Sequence, residues 1–176
     1  MRLHHPLGNG HSSCKGFSLL EVMIAIAVLV IVLSIGLPGF QAMFESARDR
    51  SATSSFVTAM NLARSEAVTR NTFTRVCATS GCAQRVNEIR VEAEAADGAK
   101  ALLRTWDSDK KVAYTGGGTD GFNVRFSPLG LAVDAHGDQL QSGLDVGIVD
   151  ISEGSSREIS NYCVGVTGSL AMGGCN

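Results

Sequence analysis

Residues 17–37 read FSLLEVMIAIAVLVIVLSIGL, an apolar run whose one charge is Glu21. As a helix rising about 1.5 Å per residue it would reach roughly 31 Å, the thickness of a bilayer's hydrocarbon core. A helix buried in a soluble core normally keeps a polar face, and here only Glu21 and two serines interrupt the apolar positions. The pattern predicts a membrane-spanning helix over 17–37. Pro38 and Gly39 predict an interruption, because proline lacks an amide donor and clashes with the preceding turn. Beyond them the pattern turns amphipathic. Phe56, Met60, Ala63 and Ala67 recur at helical spacing, while Arg48, Asp49, Arg50, Arg64, Glu66 and Arg70 fill polar positions. A stripe of this kind is core rather than a cofactor site, so a helix over 38–71 should carry a sheet and end near Asn71.

After Asn71 the period changes. Short runs at 72–79, 89–93, 101–106, 122–126, 147–151 and 159–166 favour strands, several alternating in and out. Turn formers separate them: Ala96-Asp97-Gly98, Gly116-Gly117-Gly118, His136-Gly137-Asp138 and Glu153-Gly154-Ser155. No helix alternates with these strands, so a parallel α/β sheet is not expected. The expected class is α+β: a long N-terminal helix, membrane-spanning in its first half, on a small antiparallel sheet domain over 72–176.

Composition adds limits. Hydrophobic residues make up 44% and charged residues 18% of the 176-residue chain, which excludes disorder. Fifteen basic against seventeen acidic residues lack the excess of a nucleic-acid coat protein. The flank before the apolar run is short and polar, with Arg2 and Lys15. Positive flanks stay cytoplasmic, so the C-terminal part should face away from the cytoplasm. A secretory signal would need a shorter apolar run and a small-x-small cleavage site. The best site downstream, after Ala42, has bulky Phe40 where a small residue is wanted. A plain signal anchor would leave Glu21 unexplained.

A charge inside a membrane needs a partner or a function. Glu21 lies one helical turn after Phe17, and a cut between Gly16 and Phe17 would create an α-amino group able to balance it. The string Lys15-Gly16-Phe17-Ser18-Leu19-Leu20-Glu21 resembles the class III signal of type IV prepilins and pseudopilins. In that signal a basic leader ends in Gly, and Glu is the fifth residue of the mature chain. The resemblance implies a leader over 1–16, cleavage between Gly16 and Phe17 by a prepilin peptidase, methylation of Phe17, and Glu21 as the assembly ion pair. Pro38 stands where many such pilins carry a proline.

Further along, Ala63-Arg64-Ser65-Glu66-Ala67, Arg70-Asn71 and Val76-Cys77 resemble the helix-to-strand passage of the GspH/FimT/FimU minor pilins. Phe126-Ser127-Pro128-Leu129-Gly130 is similar to their FSPxG segment, whereas residues 84–121 match nothing in that pattern. The resemblance implies a non-enzymatic minor pilin of a type IV pilus, at the tip or in the initiating complex, or alternatively a pseudopilus subunit of type II secretion. It implies a bacterial inner-membrane protein with a periplasmic domain. Its partners would be other major and minor pilins or pseudopilins, the prepilin peptidase and the inner-membrane assembly platform.

A further alternative the resemblance implies is a DNA-binding minor pilin for natural transformation, since some members of that family bind DNA through a C-terminal G-R-x-R motif. Here Ser169 and Ala171 stand where its arginines would lie, and residues 165–174 carry no charge. Loss of Arg2 and Lys15 with the leader takes fifteen basic residues to thirteen, against seventeen acidic. Nucleic acid is therefore not expected as a partner. Remaining basic candidates are Arg85, Arg90, Lys110, Lys111 and Arg157, with Asp107, Asp109 and Glu158 beside the last two groups.

Of five cysteines, Cys14 falls in the leader, where no lipobox surrounds it. Cys77, Cys82, Cys163 and Cys175 remain, an even number in an oxidising compartment, with three possible connectivities. The local choice, Cys77–Cys82 with Cys163–Cys175, is favoured because each pair flanks a turn. Their spacings do not match zinc knuckles, so no metal is expected. No G-x-S-x-G, Walker, H-E-x-x-H or paired-Cys redox motif occurs, so neither catalysis nor a cofactor is expected. His136 reads as an exposed turn residue, and Trp106 and Tyr162 as core or sheet-face residues.

Overall fold

The computed structural model describes residues 16–78, 82, 87–95, 97–116, 122–134, 136–151 and 156–175, apart from the side chains of 37 and 38. The expectations stated above for the leader, for Arg85, for Gly117-Gly118 and for Glu153-Gly154-Ser155 lie outside these residues. The chain divides into two units, Met1–Met43 and Phe44–Asn176.

The first unit holds the start of α1 (Leu19–Arg70). None of its apolar window is buried against the chain itself. Its many Val and Ile residues favour strands in water, but in hydrocarbon every amide must bond within its own segment, and a helix does that. The break expected at Pro38 and Gly39 does not occur: the helix runs through both. A proline forfeits one amide donor, here the bond to the carbonyl four residues back, on Ser34. Long apolar helices tolerate such a loss when the flanking turns stay bonded. Ser34 Oγ itself donates to the Ile31 carbonyl at 2.8 Å.

In the second unit α1 buries Ala52, Phe56, Ala59, Met60, Ala63 and Ala67, so the sequence stripe is the core face. The helix ends through its own backbone. Asn71 takes φ 51° and donates to the Val68 carbonyl at 3.4 Å, and Thr72 donates to Ala67 at 3.1 Å. That pair of bonds is a Schellman cap, in which Asn tolerates the left-handed conformation.

Among the described residues nine strands follow: β1 (Phe73–Ala78), β2 (Glu88–Glu94), β3 (Lys100–Asp107), β4 (Val112–Gly116), β5 (Phe122–Phe126), β6 (Ala132–Val133), β7 (Leu144–Asp150), β8 (Arg157–Val164) and β9 (Leu170–Met172). They form two antiparallel sheets, ordered β3-β2-β1-β5-β6 and β4-β7-β8-β9. Six strands fall where the sequence pattern put them. β4, β6 and β9 are additions, and the single expected sheet is in fact two.

Both sheets turn apolar residues onto the α1 stripe. Val76, Ile89, Val91, Phe122, Val124 and Phe126 come from the first; Val112, Tyr114, Val146, Ile148, Tyr162 and Val164 from the second. Phe56 joins them, with ring centroids 5.5 Å from Phe122, 5.2 Å from Tyr162 and 6.3 Å from Tyr114. Burying a ring of this size contributes about 2–3 kcal/mol from area alone. The buried Thr74 hydroxyl is satisfied by the Ala63 carbonyl at 2.7 Å, and the small residues of α1 let the strand approach closely enough for that bond.

Candidate functional site

Gly16 precedes α1 in open space, with nothing within 4 Å of a Cβ placed on it. Phe17 is 81% exposed, and Glu21 occupies the first turn of α1, exposed as well. A carboxylate there is favoured by the unpaired amides and dipole of a helix N-terminus. Phe17, Glu21, Val22, Ala25, Ile26 and Leu29 lie along one exposed stripe. The arrangement presents an open peptide bond, an exposed aromatic ring and one carboxylate at the head of an apolar rod. That chemistry suits processing and helix–helix association.

The cysteines meet in two pairs. Cys77 at the end of β1 bonds Cys82, with Cα atoms 6.1 Å apart, and Cys163 on β8 bonds Cys175, with Cα atoms 5.0 Å apart. The second pair closes the chain beyond β9, where the Cys175 amide also donates to Asp145 Oδ1 at 2.6 Å. Cys77, Cys82 and Glu92 bring their donor atoms within 4.8 Å of one another. The sulfurs are bonded to each other and Glu92 holds Arg75 at 2.7 Å, so these donors are already spent.

The basic candidates do not converge. Arg90 pairs with Glu88 at 2.7 Å, and Arg157 with Asp49 at 2.8 Å and Asp150 at 3.4 Å. Those bonds hold the Arg157 guanidinium's pKa above its ordinary value, its bond to Asp49 first among the causes. Lys110 and Lys111 are exposed in the β3–β4 turn. His136 sits on an exposed turn whose Asp134 Oδ1 accepts the His136 and Asp138 amides at 2.8 and 3.0 Å. Those amides, Asp138's first, hold the Asp134 carboxyl below its usual range.

Two arrangements had no signal in the sequence. Asp150, at the end of β7, takes Arg48 from α1 and Arg157 from β8, while Arg157 also reaches Asp49. Arg64 spends its guanidinium on two carbonyls, Gly130 at 3.1 Å and Thr167 at 3.0 Å. It thereby ties the FSPLG turn to the C-terminal loop. Helical periodicity marks Arg48, Asp49 and Arg64 as polar, but their partners lie 66 to 108 residues away.

A family model described as Type II transport protein GspH matches residues 52–167. One described as Prokaryotic N-terminal methylation motif matches residues 11–37. No curated protein matches the chain. The crystal structure of the type IV minor pilin FimU of Pseudomonas aeruginosa is similar, with a TM-score of 0.54 at 16% identity over 74% of this chain and 91% of that one. A second crystal form gives 0.51 at 16% identity over 71% and 92%. The minor pseudopilin EpsH of the Vibrio cholerae type II secretion system has a TM-score of 0.49 at 12% identity over 70% and 91%. Identities this low speak to the fold alone. The family match spans well over half the chain and the methylation motif covers its apolar start, so this membrane-anchored minor pilin or pseudopilin belongs to the GspH family.

Proposed function

We propose that the chain is a minor subunit of a type IV pilus, processed by a prepilin peptidase between Gly16 and Phe17 and methylated on the new Phe17 amine. In this reading 1–16 is the leader, 17–37 the transmembrane and assembly segment, 38–71 the amphipathic support and 72–176 the periplasmic domain. The observation that carries it is Glu21, the one charged residue of the apolar segment 17–37, one turn after an exposed Gly16–Phe17 bond within the matched methylation motif. Glu21 would neutralise the α-amino group of a neighbouring subunit, an ion pair strengthened by the low dielectric around it. Members of the family assemble with other pilins or pseudopilins. The partners here are other major and minor pilins, the prepilin peptidase and the inner-membrane platform. The domain then works in the periplasm with both cysteine pairs oxidised, and in the filament at its tip or in the initiating complex. Nucleic acid is not among the proposed partners: Arg90 and Arg157 are engaged by carboxylates, Lys110 and Lys111 stand beside Asp107 and Asp109 in sequence, and the C-terminal loop is uncharged.

Mass spectrometry of the membrane-extracted protein tests the processing: a mature start at Phe17 plus one methyl group is expected. A retained leader, or a start near Met43, would end this reading. Glu21→Ala should leave cleavage intact and impair incorporation into filaments, and normal incorporation would contradict the ion pair. The second reading, a pseudopilus subunit of type II secretion, is favoured by the family described as Type II transport protein. A deletion strain separates the two: lost piliation or twitching supports the pilus, lost exoprotein secretion the pseudopilus.

A further inference from the structure

The basic side chains of the domain sort into two sets. On the inner strands of the five-stranded sheet every described arginine has its carboxylate: Arg75 with Glu92, Arg90 with Glu88, and Arg125 with Glu94, each at 2.7 Å. Arg48, Arg70 and Arg157 are likewise paired, and Arg64 is held by carbonyls. Lys100, Arg104, Lys110 and Lys111 are exposed and make no ion pair among the described residues. All four lie on β3 and the turn after it, and among the described residues β3 is an edge strand bonded only to β2. Arg50 likewise makes no ion pair among the described residues, but it lies on α1, beside Ile159 and Ser160 of β8, rather than on this edge.

We infer that this edge is a docking stripe for an acidic surface segment of another subunit in the assembly. The idea rests on the assembly reading above and deepens it. An eight-residue strand is roughly 26 Å long, so the cations form a line rather than a point. Arg104 is fixed within that line, its guanidinium 5.1 Å from the centre of the Trp106 ring. Leu102, 56% exposed, adds an apolar contact in the middle. A bulge opposite Val91 and Glu92, together with Lys and Arg on the edge, disfavours pairing with a further strand. The partner is therefore met through side chains. An edge that carries four cations against two carboxylates, Asp107 and Asp109, in a chain with an overall acidic excess, offers a net positive field to an acidic partner. The exposed leucine and the half-buried tryptophan fit a protein surface better than a polyphosphate.

The test is a photo-cross-linker, Leu102→p-benzoylphenylalanine, in the full-length chain in its own membrane, with the adduct sequenced. The expected adduct is an acidic peptide from another subunit bearing a prepilin signal. Its yield should fall about tenfold in Lys110→Glu/Lys111→Glu and in Arg104→Glu, and persist in Lys110→Arg/Lys111→Arg and in Arg50→Glu. An adduct to nucleic acid or phospholipid, no adduct, or a yield indifferent to charge reversal would overturn the stripe while leaving a processed, incorporated subunit. A chain that keeps its leader and stays out of the filament fraction would overturn both readings together.

Discussion

Arg64 of α1 donates its Nε–H to the carbonyl oxygen of Gly130 at 3.1 Å. The same guanidinium reaches Thr167 at 3.0 Å, so one side chain from the helix holds two loops from different sheets. Both acceptors are backbone carbonyls of tight turns. The Gly130 amide bonds Ser127 and the Gly168 amide bonds Gly165, each at 2.8 Å. A lysine has one compact ammonium group and cannot span two carbonyls as the planar fork does. Arg64→Ala and Arg64→Lys should therefore each lower stability by about 1–2 kcal/mol. Amide exchange should accelerate at residues 165–169 in both. Unchanged exchange there would show that the loop does not depend on the helix.

Asp150 is the hub of the charges between α1, β7 and β8. Its side chain is 8% exposed and that of Arg48 is 14% exposed, while Arg157 on β8 is largely in solvent. Removing one partner of such a pair leaves the other buried without compensation, which typically costs about 3–5 kcal/mol when burial is complete. Asp150→Asn should cost somewhat less than that range, because Asp49 still neighbours Arg48 at 3.6 Å. Arg48→Met in the same chain should recover part of the loss. Urea unfolding of the four chains of that cycle measures the coupling, and simple additivity would refute the pairing.

What the sequence reveals here is what repeats locally. Phe56, Met60, Ala63 and Ala67 stand out because a helix brings every third or fourth residue to one face, and all four are buried. β5 is legible for the same reason, since Phe122, Val124 and Phe126 alternate with Asn123 and Arg125. β4 escapes because Val112, Ala113 and Tyr114 are consecutive and all buried, which erases the alternation. β6 has two residues and β9 three, too few to show any period. The split into two sheets depends on β1 pairing with β5 and β4 with β7, across segments no local window spans. At the candidate site, Gly16, Phe17 and Glu21 lie within one short string and are legible. The partners of Arg48 and Arg64 are set by tertiary approach and are not.

Tyr114 supplies a pH prediction. It is 1% exposed and its hydroxyl hydrogen-bonds Ser108 Oγ. Burial pushes its pKa above the ordinary value of about 10, and the Ser108 bond only partly offsets this. The raised pKa means the folded state keeps the phenol proton after the unfolded chain has released it. Stability from this group is thus complete below about pH 10 and is lost as pH rises from there through the folded-state pKa. Tyr114→Phe should flatten the alkaline limb of a stability-versus-pH curve while losing the Ser108 bond at every pH. An alkaline limb identical in the two chains would assign that loss to other groups.

The last prediction concerns two glycines that separate conformation from contact. Gly98 and Gly168 both take positive φ, 81° and 73°, where any L side chain is strained. At Gly98 nothing lies within 4 Å of an added Cβ, so Gly98→Ala tests the backbone conformation alone, at about 1–2 kcal/mol. At Gly168 the same Cβ would overlap the Gly130 carbonyl oxygen, with Arg64 Nε 3.3 Å away. That oxygen is backbone and already accepts the Arg64 bond, so it cannot move aside without breaking the bond. Gly168→Ala should therefore cost clearly more than Gly98→Ala and should raise amide exchange at 165–169 as Arg64→Ala does. Combining Gly168→Ala with Arg64→Ala should cost less than the sum of the two, because the first change already loosens what the second releases. Equal costs for the two glycine variants would mean that the close approach of the two loops carries no stability of its own.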